Sequence, residues 1–200
     1  NFTGLSTKLI KYIKKKKLDL VYIKDFFSHE ISNAVYDRLI KNIDWNFDQI
    51  HIFGKKMVLK RRIAWYGDED KIYKYSGTTK VPLKWNKTLY LIKNIIENHI
   101  NYSFNSVLLN EYGSGQEGMG WHSDDEKELG PSPTIASLSL GASRDFYFRS
   151  NKDHSIVKLH LENGSLLIMQ GETQHFWKHS LPKRLKLTEG RINLTFRKIN

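Results

Sequence analysis

Two hundred residues carry 32 Lys and Arg against 21 Asp and Glu, a formal charge of +11, and 40% of the chain is hydrophobic. This composition suits one globular domain with a sizeable core and excludes a disordered chain, while no apolar run approaches the roughly 18 residues of a membrane-spanning helix. With no cysteine, disulfides, thiolate catalysis and cysteine-ligated zinc are excluded too, and the positive excess points to a polyanionic partner, nucleic acid or an anionic membrane surface.

In chain order, residues 1–19 read as a basic N-terminal extension, with Lys14 to Lys17 standing where a signal peptide would be apolar. Leu20 to Ile23 is a short strand. Ser28 can cap a helix to about Asn42, with Ile31, Val35 and Leu39 on one face. From Ile50 to Tyr75 bulky residues broken by Gly54 and Gly67 predict β structure. Asn86 can cap a second helix to about Ile100, in which Leu89, Ile92, Ile96 and Ile100 recur at helical spacing. Strands are predicted next at 107–112, 134–140, 145–149, 156–161, 165–169, 175–177 and 191–198, separated by Gly-, Ser- and Asn-rich connections such as Gly113 to Gly120. Many short strands at these intervals indicate a sandwich or jelly roll. The expected fold is therefore a single, mainly β, α+β domain braced by two N-terminal helices.

His122-x-Asp124 opens the chemistry. On a strand, residues two apart project to the same side, so this pair can hold one ion. A third ligand must come from elsewhere, and His175 and His179 are the candidates. Were that segment helical, both could share the metal; in a strand they would stand roughly 13 Å apart and only one could serve. The position of His179 before Ser180-Leu181-Pro182, at a strand end, favours it, with His175 left open. Two imidazoles and one carboxylate leave coordination positions vacant, which suits non-haem Fe(II). The remaining histidines have no ligand-like partner and read as solvated or structural.

Residues 191–197 alternate without a break. Ile192, Leu194 and Phe196 face one side, and Arg191, Asn193, Thr195 and Arg197 the other. Two guanidinium forks with an amide and a hydroxyl would grip a small dicarboxylate, and Asn110 and Tyr112 alternate on another strand to add neutral donors. Iron beside such a clamp suggests 2-oxoglutarate.

With these residues in view, the chain resembles the AlkB-type Fe(II)/2-oxoglutarate dioxygenases, most closely the eukaryotic-type members that act on double-stranded DNA. The likeness runs from about Ile52 to the end through Tyr66-Gly67-Asp68, Asn110-Glu111-Tyr112, His122-Ser123-Asp124-Asp125-Glu126, Ser139-Leu140-Gly141, Arg144-Asp145-Phe146, His179-Ser180-Leu181-Pro182 and Arg191 to Arg197. The resemblance implies a double-stranded β-helix core over 105–200 and a nucleotide-recognition lid over 50–80. It implies Fe(II) on His122, Asp124 and His179, and 2-oxoglutarate on Asn110, Tyr112, Arg191, Asn193, Thr195 and Arg197. It also implies a flipped base stacked between Tyr75 and His122, with Tyr73 beside the base or its phosphate and Glu126 on the exocyclic amine. Phe53 matches an intercalating finger, with Arg61 or Arg62 following into the duplex. Two departures stand out: Tyr75 replaces a phenylalanine of the duplex-acting members, and the turn at 150–155 is shorter. The implied activity is oxidative demethylation of 1-methyladenine and 3-methylcytosine in DNA by an intracellular, nuclear monomer with no membrane partner. Lys55, Lys56, Lys60, Arg61, Arg62, Arg149, Lys183, Arg184 and Lys186 would attract the phosphate backbone. The competing readings are a demethylase of RNA or single-stranded DNA, and a non-catalytic nucleic-acid-binding jelly roll.

Overall fold

A computed structural model describes the backbone of residues 9–52, 55–69, 73–75 and 78–200, and the side chains of 9–47, 58–69 and 81–200. The chain opens with a hairpin of β1 (Ile10–Lys15) and β2 (Leu18–Ile23), in antiparallel register from Ile10 opposite Ile23 to Lys15 opposite Leu18. Helix α1 (His29–Asn42) follows, its first turn capped by Ser28 Oγ accepting from the Ile31 N–H. Strands β3 (Asn46–Ile52) and β4 (Lys55–Gly67) form a long hairpin. Short strands β5 (Tyr73–Tyr75), β6 (Thr78–Lys80) and β7 (Leu83–Lys84) lead to α2 (Lys87–Ile100). There Asn86 caps the Leu89 N–H at 2.9 Å, and left-handed Asn101 ends the helix. The rest is mainly β: β8 (Ser106–Tyr112), β9 (Met119–His122), β10 (Ile135–Gly141), β11 (Arg144–Ser150), β12 (Ile156–Leu161) and β13 (Leu166–Met169). A single helical turn, α3 (Thr173–Phe176), precedes β14 (Trp177–Leu181) and β15 (Arg191–Arg197).

Apart from β5 and β6, which pair as a separate two-stranded sheet, these strands make two facing sheets, the jelly-roll arrangement expected. The large sheet runs β1-β2-β13-β10-β15-β8-β4-β3, with β7 added to β4, and the small one runs β12-β11-β14-β9. Alternation along each central strand divides its residues between two cores. Ala136, Leu138, Leu194, Phe196, Val107 and Leu109 pack against Leu39, Leu89, Ile92 and Ile96 of the helices. On the opposite face Leu20, Ile135, Leu167 and Met169 meet Phe148, Leu159, Leu161 and Trp177 of the small sheet side. Burying one such side chain stabilises the fold by about 1.5–3 kcal/mol, so layers on both faces hold the large sheet. Toward one end the second core gives way to polar residues, and the functional cavity lies there.

Four local differences from the sequence reading have physical causes. Residues 10–15, read as part of an extension, form the edge strand β1. Its turn consists of Lys16 and Lys17 at φ 48° and 67°, a two-residue hairpin geometry normally signalled by Asn-Gly. The indole N–H of Trp177 anchors this turn by donating to the Lys16 carbonyl at 3.0 Å. Lysines on an edge strand also discourage further strand addition. The large sheet consequently recruits residues well before 105. Residues 175–176 are helical instead of extended, because Thr173 Oγ donates to the Gln170 carbonyl at 2.7 Å and closes a turn. Met119 to His122, concealed in a Gly-rich stretch, pair with β14 as β9. No helix among the described residues is long and apolar enough to cross a membrane.

Candidate metal centre

A cavity of about 230 Å³ opens between the two sheets. Its large-sheet wall follows from strand alternation: Arg61, Ile63 and Trp65 of β4, Leu108, Asn110 and Tyr112 of β8, Ser137 of β10, and Arg191, Asn193, Thr195 and Arg197 of β15. His122, Phe146, His179 and Leu181 of the small sheet face them.

His122 and His179 are directly opposite on β9 and β14, their ring centroids 4.2 Å apart. Between this pair and the Met119–Leu181 pair, β9 spends one residue more than β14. Such a bulge re-aims side chains, and here both Met119 and His122 line the cavity. The bulge also orients the imidazole, for His122 Nδ1 lies 2.9 Å from the Gly120 carbonyl. A carbonyl only accepts, so Nδ1 carries the proton and Nε2 keeps its lone pair. Asp124, two residues beyond the strand, is 4% exposed. One donor atom from each of His122, Asp124 and His179 can be chosen so that all lie within 4.8 Å of one another.

The electrostatics leave Asp124 ionised and the His179 imidazole uncharged near neutrality. Burial pushes the Asp124 carboxyl up, but Arg197, His179 and His122 outweigh it and bring it down to about 2. Arg197 Nη2 donates to Asp124 Oδ2 at 2.8 Å. Burial pushes the His179 imidazole down to about 3, opposed by Asp124 and reinforced by His122 and Arg197. His179 Nδ1 is buried without a hydrogen-bond partner. His175 does not join the group; its Nε2 contacts the Pro131 carbonyl, and the possibility that it shares the metal is closed.

At the inner end, Arg191 lies opposite Tyr112 and Asn193 opposite Asn110 on β8. Arg191 Nη2 donates to Ser139 Oγ at 2.9 Å and to Asn193 Oδ1 at 3.2 Å. Asn193 Oδ1 also accepts from Ser137 Oγ at 2.9 Å, and its Nδ2 donates to Thr195 Oγ at 2.7 Å. The Tyr112 ring sits under two guanidinium groups, Arg191 at 5.8 Å and Arg144 at 6.0 Å. Arg191 Nε is buried and unpartnered, a cation set for an incoming anion.

Among the residues expected to touch the substrate, Glu126 lines the cavity with Oε2 buried and unpartnered. Arg61 does not point outward after a finger. It is 7% exposed, lines the cavity and directs Nη1 to Met119 Sδ at 3.1 Å. Arg62, on the opposite face of β4, pairs with its cross-strand neighbour Glu111 at 2.9 Å, and Arg184 pairs with Asp145. Both are therefore engaged within the protein. Tyr73 and Tyr75 are described by backbone alone, in a hairpin where Tyr75 opposes Thr78; Phe53 lies outside the described residues, as do the side chains of Lys55 and Lys56. Sequence reasoning missed Ser137 and Ser139, whose alternation in the Ser-Leu-Ser-Leu run of β10 was an available signal. It also missed Gln174, whose Oε1 accepts from the Asp124 N–H at 2.9 Å and for which no pattern in the sequence gives a signal.

Comparison with known proteins agrees with this geometry. Residues 19–197 match the family model described as the 2OG-Fe(II) oxygenase superfamily. The chain is 37% identical over 200 residues to human DNA oxidative demethylase ALKBH2, covering 94% of this chain and 76% of that protein. It is 44% identical over 149 residues to human alpha-ketoglutarate-dependent dioxygenase alkB homolog 3, covering 70% of this chain but only 51% of that one. Among solved structures, that of OsALKBH1 superposes with a TM-score of 0.70 over 95% of this chain and all of the other. At 18% identity, that match speaks for the fold alone.

Proposed function

We propose, for a chain that belongs to the 2OG-Fe(II) oxygenase superfamily and within it to the AlkB-type dioxygenases, that its cavity oxidatively removes methyl groups from N-alkylated bases of DNA. Fe(II) and 2-oxoglutarate are the metal and co-substrate of this family. The residues fit both. Two imidazoles and a carboxylate, with no thiolate, suit a metal that must keep positions open, and a buried, unpartnered Arg191 Nε suits a carboxylate.

His122, Asp124 and His179 would hold the metal. Arg197, already 2.8 Å from Asp124, stands at the metal end of the clamp, and Arg191 with Tyr112 and Asn193 takes the distal carboxylate. Bound there, Fe(II) and 2-oxoglutarate would supply an O₂-dependent oxidation in which the N-methyl carbon is lost as formaldehyde while 2-oxoglutarate is converted to succinate and CO₂. Glu126 contributes selectivity: its buried oxygen favours the cationic 1-methyladenine or 3-methylcytosine. Once the methyl group leaves, the base is neutral, and its attraction to Glu126 falls, which helps release. A methylated base pairs poorly, so it costs less to flip into the cavity than a normal one.

Double-stranded DNA as the substrate, action as a monomer and a nuclear address complete the proposal. Exposed Lys60, Lys183 and Lys186, with Arg149 on the small sheet, would meet the phosphates and make binding salt-dependent. The observation that carries the reading is the meeting of the three ligand atoms at one cavity whose inner end holds Arg191. Formaldehyde release from matched methylated duplex and single-stranded oligonucleotides tests it. Turnover should need Fe(II) and 2-oxoglutarate, vanish in His122→Ala, and fall on duplex alone in Phe53→Ala. Equal or faster turnover on single strands would transfer the assignment to single-stranded DNA or RNA.

A further inference from the structure

Asp124 lies two residues past the end of β9, where no strand ladder receives its backbone N–H. That N–H donates instead to Oε1 of Gln174 at 2.9 Å, across 50 residues of sequence. Gln174 is 1% exposed. Its amide has one possible orientation: Oε1 must face the Asp124 donor, so Nε2 turns to Met169 Sδ at 3.5 Å. The turn that carries it is fastened as well. Thr173 Oγ donates to the Gln170 carbonyl at 2.7 Å and accepts from the Asp19 N–H of β2 at 2.9 Å. A buried amide on an anchored turn thus holds the main chain at Asp124, while Arg197 holds its carboxylate.

We propose that Gln174 is a positioning residue for the metal-binding carboxylate. The two restraints on Asp124 act in different ways. Arg197 pulls Oδ2 toward the co-substrate clamp and competes with a metal for it. Gln174 fixes the main chain from behind and keeps the carboxylate aimed between the two imidazoles. Without it, Arg197 alone decides where the carboxylate rests, and the buried N–H has lost its acceptor. Partners that orient metal ligands in this manner typically change metal affinity by roughly 10–100-fold when removed.

This inference rests on the reading of His122, Asp124 and His179 as ligands, and the two can fail separately. The purified chain is stripped of metal and titrated anaerobically with Co(II), following the visible d–d bands. If wild type gives no site-specific bands, or His122→Ala gives the same ones, the metal reading itself fails. If wild type binds, Gln174→Met, which keeps the shape and loses the acceptor, should bind Co(II) roughly 10–100-fold more weakly, with altered bands, while its metal-free form still unfolds in one cooperative transition at a temperature lowered by the orphaned Asp124 N–H. Binding within about twofold of wild type with unchanged bands overturns the proposal. Should Gln174→Met not fold, wild type decides by NMR. The Asp124 amide must resist hydrogen exchange without metal, and it and the Gln174 side-chain amide must both shift on Zn(II) binding. An unprotected Asp124 amide, or a Gln174 resonance indifferent to metal, overturns the proposal equally.

Discussion

Replacing Arg191 by methionine should separate the stability of the fold from its affinity for a dicarboxylate. Arg191 is 2% exposed at the inner end of the cavity. Burial pushes its guanidinium down to about 10, with Tyr112 opposing and the Arg144 cation reinforcing the change. Measured from the ordinary 12.5, at about 1.4 kcal/mol per pH unit, the charge costs the ligand-free fold about 3 kcal/mol. Methionine removes that cost together with the bonds to Ser139 at 2.9 Å and Asn193 at 3.2 Å. Each of those charge-assisted contacts is worth about 1.5 kcal/mol. The two sides cancel to within about 1 kcal/mol, so the urea midpoint of the ligand-free protein should barely move. Affinity for 2-oxoglutarate should drop by about 3 kcal/mol, or roughly 150-fold in Kd, because a paired guanidinium–carboxylate contact is lost. Equilibrium unfolding and calorimetric titration of the Mn(II)-loaded protein read the two quantities. A stability loss above about 2 kcal/mol with intact 2-oxoglutarate affinity would make Arg191 a structural cation and refute the reasoning.

Three further outcomes are expected. His179, held neutral in the fold down to about pH 3, protonates near 6.5 once unfolded; the unfolded chain binds more protons between those values, so metal-free stability should fall with acidification by up to about 1.4 kcal/mol per pH unit. Denaturant titrations at neutral and mildly acidic pH check this, and His179→Leu should flatten the slope. Glu126→Gln should raise KM about tenfold, or about 1.4 kcal/mol, for a cationic methylated base, and leave a neutral alkylated base nearly unaffected; equal losses on both would deny the charge argument. Asn86→Ala should cost about 1 kcal/mol of stability through loss of the α2 cap, with turnover unchanged at temperatures below the melt.

The helices and later strands were legible because apolar periods and caps are local signals. Ser28 and Asn86 cap the helices as their side chains suggest. The alternation from Arg191 to Arg197 announced a two-faced strand, and the cavity lies on its polar face. What stayed hidden depends on contacts remote in the chain. No motif distinguishes Gln174, which matters through an N–H 50 residues away. The turn at Lys16 and Lys17 lacks glycine and is held by a tryptophan far downstream. Arg61 was misleading for another reason: its charge suggested the surface, whereas alternation with Ile63 and Trp65 on β4 sends it inward.

Strand β15 sits between β8 and β10, hydrogen-bonded on both sides. A one-residue insertion or deletion within it that no bulge absorbs would turn over every side chain on one side of the change. Guanidinium groups would enter the helix-packed layer while Ile192, Leu194 and Phe196 faced the co-substrate. An insertion that no bulge absorbs therefore damages packing and pocket together. Substitutions can tune the pocket one position at a time, whereas a change in the strand's length has to be absorbed by a bulge, as β9 absorbs its extra residue opposite β14.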